Sequence, residues 1–141
     1  LFLQSFLRRP VTMKKKILLV DDIKEFRSLL KLLLSGDFDV VTAEDGEKAL
    51  DMIESGCNPD VIVTDLLMPR MDGYQLIDNI RNREPWKKIP IIVLSNVDKA
   101  DDRQRLAYNK GINTFLNKPF NTRELNEGLK KSLDQVLENV N

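Results

Sequence analysis

Four apolar runs, each stopped by a residue able to handle a phosphoryl group or a divalent cation, constrain this chain more than any other feature. Ile17-Leu18-Leu19-Val20 runs into Asp21 and Asp22, and Val61-Ile62-Val63-Thr64 runs into Asp65. Ile91-Ile92-Val93-Leu94 runs into Ser95, and Thr114-Phe115-Leu116-Asn117 runs into Lys118 and Pro119. Runs this short and this rich in β-branched residues read as buried strands. If they are parallel, all four endings share one edge of one sheet, where open α/β folds bind their ligands.

The intervening segments carry helical periodicity. Phe26, Leu29, Leu30, Leu33 and Leu34 predict a helix over 24–35, stopped by Gly36, and Ala49, Leu50 and Ile53 predict one over 46–55. Asp72 is placed to cap a helix over 73–83. Asp98 opens another that reaches 109 and closes at Gly111. A final helix over 122–139 presents Leu125, Leu129, Leu133, Val136, Leu137 and Val140 along one side. A short strand over 40–42 completes the pattern, and Pro85 and Pro90 bracket the approach to the fourth strand. Strict alternation of five strands and five helices argues for right-handed parallel crossovers. The expected fold is a flavodoxin-like (βα)5, doubly wound around a parallel five-stranded sheet of order 2-1-3-4-5, whose switch point between strands 1 and 3 gathers Asp21, Asp22 and Asp65.

Composition narrows the chemistry. Lys+Arg and Asp+Glu both number 22, so a net charge of zero and the lack of a basic block argue against direct nucleic-acid binding. With no histidine, histidine-based catalysis, a His metal site and a phosphohistidine carrier are excluded. The single Cys57 cannot form an internal disulfide, which fits a reducing, cytoplasmic setting. Residues 1–12 (LFLQSFLRRPVT) are too short to span a bilayer and carry their arginines after the apolar part, unlike a signal peptide. They are expected to be a leader of vector origin or a misassigned start lying outside the fold, so that residues 13–141 form one domain without membrane insertion.

Three carboxylates brought to one crevice would repel one another, and a bound Mg²⁺ would relieve that repulsion with hard oxygen ligands, among them the backbone carbonyl of Leu67. Lys118 supplies a compact positive charge and Ser95 a hydroxyl donor, which together suit in-line phosphoryl transfer to a carboxylate nucleophile. Asp65 is the best nucleophile, because Asp21 and Asp22 are the neighbouring pair better placed to hold the cation. Taken alone, the acidic pair reads as a helix cap and Lys118-Pro119 as a strand exit; their joint occurrence carries the signal.

These residues resemble the receiver domains of two-component response regulators, the CheY-like family. Asp65 to Gly73 fits the family's D-x-x-M-P-x-M-D-G, and Asn117-Lys118-Pro119-Phe120 fits its K-P-F segment. The resemblance covers about residues 15–136. It implies Asp65 as phosphoacceptor, Asp22, Asp65 and the Leu67 carbonyl as Mg²⁺ (or Mn²⁺) ligands, and Asp21 holding the metal through water. It further implies Lys118 as partner of the phosphoryl group, and Ser95 with Phe115 as the switch pair that repacks the face of helix 4, strand 5 and helix 5. The implied partners are a sensor histidine kinase or histidine phosphotransfer protein and a downstream protein target; small acyl phosphates are alternative donors.

Asn96 stands where relatives have a small residue, and Leu67 and Val97 are apolar where relatives are often polar, so self-hydrolysis is expected to be slow. Trp86 is expected at the end of the sheet away from the site. Three other functions fit these residues less well. An aspartate-nucleophile phosphatase needs an acid two residues after the nucleophile, where this chain has Leu67. A phosphate-independent interaction module has no use for the full acidic set with Lys118, and a nucleotide binder would need a glycine-rich loop that the sequence lacks.

Overall fold

The computed structural model describes residues 13–95, 100–112 and 114–140, without the side chains of 100–101 and 135–140. Five parallel strands, β1 (Lys15–Val20), β2 (Phe38–Ala43), β3 (Val61–Asp65), β4 (Ile91–Ser95) and β5 (Thr114–Asn117), lie in the order β2-β1-β3-β4-β5. The connecting helices are α1 (Lys24–Leu34), α2 (Gly46–Glu54), α3 (Gly73–Arg81), α4 (Ala100–Lys110) and α5 (Thr122–Val140). This is the doubly wound, flavodoxin-like arrangement expected from the alternation. No described helix is long and apolar enough to cross a membrane.

Period-two alternation divides the core. Leu18, Val20, Ile62, Ile91 and Val93 face α2, α3 and the buried Leu106 of α4. Ile17, Leu19, Val61, Val63, Ile92 and Leu94 face Leu30 and Leu34 of α1 and Leu125 and Leu129 of α5. Strands covered on both faces have no room for polar residues until they end, which is why the polar endings sit together.

The differences from expectation have local causes. β2 starts at Phe38, whose half-buried ring packs on the α1 side and holds the chain extended earlier than the 40–42 run suggested. A short 3₁₀ turn, Trp86–Lys88, fills the gap between the two prolines. Of the leucine stripe expected to seat α1, only Leu30 and Leu34 are buried; Leu29 and Leu33 remain about half exposed (52% and 50%) beside Leu32. The apolar arc on α1 is wider than the strip of sheet that it covers. The side chains of Val136, Leu137 and Val140 lie outside the described structure, as do residues 1–12, Asn96, Val97 and Asp98.

Candidate functional site at the carboxyl edge of the sheet

Strand register brings the predicted residues together. Val20 pairs with Thr64, so Asp21 and Asp65 each follow the same rung. Asp65 pairs with Leu94 and Ser95 with Asn117, which places Ser95 and Lys118 on the next two steps along the edge. Pleat parity then sorts them. Asp65 continues the alternation of Val61 and Val63 toward the α1 and α5 side, whereas Ser95 continues that of Ile91 and Val93, the side on which Phe115 also packs.

On the first side, the ligand oxygens of Asp21, Asp22 and Asp65 lie within 4.8 Å of one another. Asp21 is fully buried, Asp65 is nearly so at 8% exposure, and Asp22 is exposed. Lys118 Nζ reaches 2.7 Å from Asp21 Oδ2 and 3.2 Å from Asp65 Oδ2, so one ammonium spans the crevice. Its charge also rests 4.4 Å from the ring centroid of Phe26, itself edge-on to Phe120. Asp21 is held independently, because its Oδ1 accepts the Ile23 N–H at 2.9 Å. Asp65 Oδ1 accepts the Leu66 N–H at 2.7 Å and a longer contact of 3.4 Å from Leu67 N–H. That arrangement leaves Asp65 Oδ2 to share between Lys118 and whatever enters the crevice.

Burial pushes the Asp65 carboxyl above the usual carboxylate range, and the neighbouring Asp21 adds to the shift while Lys118 opposes it. For Lys118, burial acts to lower the pKa, but the hydrogen bond and charge of Asp21, with Asp65 behind them, outweigh it and hold the ammonium. The donor set is therefore hard oxygen, crowded and only partly neutralised, which fits a divalent cation such as Mg²⁺.

The other side is tighter. Ser95 is buried, and its carbonyl accepts the Lys118 N–H at 3.0 Å. Phe115 is half-buried beneath the Arg103 guanidinium, 5.7 Å from the ring centroid, and Arg103 also hydrogen-bonds Asn117. The cleft bounded by Leu66, Tyr74, Ser95, Leu106 and Phe115 is narrow: about 10 Å³ is open to the centre of a water, the lower limit for holding one.

Glycine is required once in the site itself. A Cβ on Gly73 would fall against the Asp65 carbonyl and 2.8 Å from Leu66 Cα, and the Gly73 N–H donates to the Leu66 carbonyl at 2.8 Å. Asp72 caps α3 as expected and forms a reciprocal capping box with Gln75.

Sequence reasoning missed three contributors. Phe26 was assigned only to the α1 stripe, yet it supports Lys118. Asp45 and Arg70 form an ion pair at 2.5 Å between the turn before α2 and the loop after Asp65. Spacing gives no signal for that pair, and only the Asp-Gly dipeptide ahead of an apolar helix marks one half of it.

Residues 17–130 match the response regulator receiver domain family. Protein PilG of Pseudomonas aeruginosa is 37% identical over 116 residues, which is 82% of this chain and 84% of that protein. The alkaline phosphatase synthesis transcriptional regulatory protein PhoP of Bacillus subtilis is also 37% identical, over 86% of this chain but 49% of its own length. For the hybrid signal transduction histidine kinase D of Dictyostelium discoideum the identity is again 37%, and the chain spans 7% of that protein. Among solved structures, the receiver domain of Francisella response regulator 1452 superposes with a TM-score of 0.78 at 30% identity, covering 87% of this chain and 99% of that one. The chemotaxis response regulator CheY4 of Vibrio cholerae gives 0.77 at 30%, covering 86% and 100%. Relatives so unequal in length have in common the segment that carries this sheet and its acidic edge, and by that segment the chain belongs to the receiver domains of two-component signalling systems.

Proposed function

We propose that the chain accepts a phosphoryl group on Asp65 from the phosphohistidine of a partner kinase or histidine phosphotransfer protein, or from a small acyl phosphate, and signals by a change in its protein contacts. The observation that carries this reading is the single ammonium of Lys118 bridging Asp21 and Asp65, at 2.7 and 3.2 Å, inside a three-carboxylate cluster. A structural ion pair needs one acid; here three carboxylates with ligand oxygens within 4.8 Å of one another share one ammonium, a donor set that suits a cation.

Asp22, Asp65 and the Leu67 backbone carbonyl would hold Mg²⁺, with Asp21 acting through water. The cation, when bound, supplies charge neutralisation at the crevice and at the phosphoryl oxygens. Asp65 Oδ2 forms the new bond to phosphorus, and the donor's nitrogen or oxygen leaves with its bonding pair. Lys118 then shifts its hydrogen bond from the carboxylate to a phosphoryl oxygen, and the Ser95 hydroxyl donates to another. Because Ser95 and Phe115 share one face of the sheet, drawing Ser95 toward the edge frees room near the ring. The cleft beside Phe115 is narrow and lined by Tyr74 and by Asp102 and Leu106 of α4, so a turn of the ring is coupled to those neighbours. Repacking of the α4–β5–α5 face for a downstream target follows from that coupling.

Incubation with acetyl phosphate and Mg²⁺, followed by intact mass, tests the assignment. Wild type is expected to gain ~80 Da, the mass of one phosphoryl group in an aspartyl phosphate, and Asp65→Ala to gain nothing. Labelling that survives in Asp65→Ala would overturn it.

A further inference from the structure

The loop between Asp65 and α3 is fastened at both ends. At its near end Asp65 Oδ1 accepts the Leu66 N–H, and the Leu66 carbonyl accepts the Gly73 N–H. At its far end the loop is bolted to the turn that opens α2. The Gly46 N–H donates to the Met71 carbonyl at 2.9 Å, and a Cβ on Gly46 would strike Met71, so the two backbones are in direct contact. Beside them Arg70 Nε donates to Asp45 Oδ2 at 2.5 Å. Asp45 is fully buried, and its other oxygen caps α2 by accepting the Lys48 N–H at 2.9 Å. Arg70 has φ of 64°, a left-handed conformation that is uncommon for a non-glycine residue and needs support from its surroundings.

We infer that Arg70 is a positioning residue for the cation seat: its pair with Asp45 fixes the loop so that the Leu67 backbone carbonyl, three residues earlier, is presented beside Asp22 and Asp65. The inference rests on the Mg²⁺-dependent reading above. Arg70 touches neither the cation nor the phosphoryl group, and its side chain is half exposed. It acts through the backbone, and the buried Asp45 gives that action a fixed anchor. A flexible arginine on a solvated acid would not hold a loop, since exposed pairs of that kind contribute little.

Calorimetric titration of the full chain with MgCl₂ tests this on wild type, Asp22→Ala, Arg70→Gly, Arg70→Lys and Asp45→Asn, with the Tm of each recorded. Arg70→Gly removes the pair while leaving the left-handed backbone unstrained. Asp45→Asn keeps the α2 cap but loses the charge. Both are expected to weaken Mg²⁺ binding by roughly 10- to 100-fold, the usual cost of removing a group that orients a ligand. Arg70→Lys should recover most of the affinity, and phosphorylation by acetyl phosphate in Arg70→Gly should return toward the wild-type rate at saturating Mg²⁺. Affinities of Arg70→Gly and Asp45→Asn within about twofold of wild type, where Asp22→Ala has lost binding, would overturn the inference and leave the function intact; the comparison scale is the same orienting-group cost. A wild-type chain that binds no Mg²⁺ would overturn the function itself.

Discussion

At the scale of single residues, the site separates charge that is neutralised from charge that is held in reserve. Asp21 is tied to Lys118 and to the Ile23 N–H, while Asp65 keeps one oxygen shared and a proton affinity raised chiefly by burial. Asp45 is the opposite case. Burial alone would raise its pKa, but the Lys48 N–H and Arg70 outweigh it and leave the carboxyl below its usual range. The unfolded chain therefore takes up this proton first as the pH falls. The stability contributed by ionised Asp45 is complete at neutral pH and lost as the pH drops through the folded value. Asp45→Asn is expected to narrow the gap between urea midpoints taken at neutral pH and at about pH 3.5, just under the usual carboxylate range; an unchanged gap would remove Asp45 from the acid response. Leu67 supports a second expectation. Its exposed apolar side chain cannot orient an attacking water, so Leu67→Asn should shorten the lifetime of phosphorylated Asp65 on the order of tenfold, a modest share of what proton-handling groups achieve. A wild-type lifetime of seconds that lengthens on this change would contradict it.

At the scale of elements, close backbone approach matters more than propensity. α3 starts where Gly73 lies against the Asp65 carbonyl, so the helix start and Asp65 are set by one contact. Gly73→Ala forces the two apart, and because the neighbour is backbone it cannot rotate away. Destabilisation of about 1–3 kcal/mol, as for other overpacked sites, is expected from urea unfolding, with weaker acetyl phosphate labelling of Asp65 in the folded fraction. A second element is secured by one side chain. Arg81 donates to the Lys110, Lys87 and Ile89 carbonyls at 2.6, 3.1 and 2.7 Å, which joins α3 to the end of α4 and to the approach of β4. Tyr74 adds a 3.0 Å hydrogen bond to Asp102, so α4 is held by polar links as well as by Leu106.

The elements also show what a sequence reveals. Strands β1, β3 and β4 were legible because burial on both faces leaves an unbroken apolar run, and their endings named Asp21, Asp22, Asp65 and Ser95 directly, with Lys118 following the less buried β5. The seating of α1 was over-read at Leu29 and Leu33, since periodicity counts apolar residues but not the width of the surface awaiting them. The Asp45–Arg70 pair was invisible for another reason: its partners are 25 positions apart and belong to two separate turns, where no period operates.

At the scale of the whole molecule, the two ends of the sheet are chemically distinct. The acidic cluster occupies the carboxyl edge, whereas Trp86 precedes β4, packs against the core face shared with Ile91, and sits under the Arg83 guanidinium at 5.4 Å. Titrating Mg²⁺ should therefore leave tryptophan emission nearly unchanged even as calorimetry registers binding. Strong quenching in step with the heat would mean that the far end of the sheet moves when the cation binds.

The Lys118 bridge has a consequence for how the protein is made. Its two acidic partners lie 97 and 53 positions earlier in the chain, so the ammonium arrives only after β5 has been added to the edge of the sheet. Until then, three carboxylates face one another without their counter-charge. A nascent or partly assembled chain can own every acid in the cluster and still lack the group that balances them; the cluster gains its counter-charge only with the last strand.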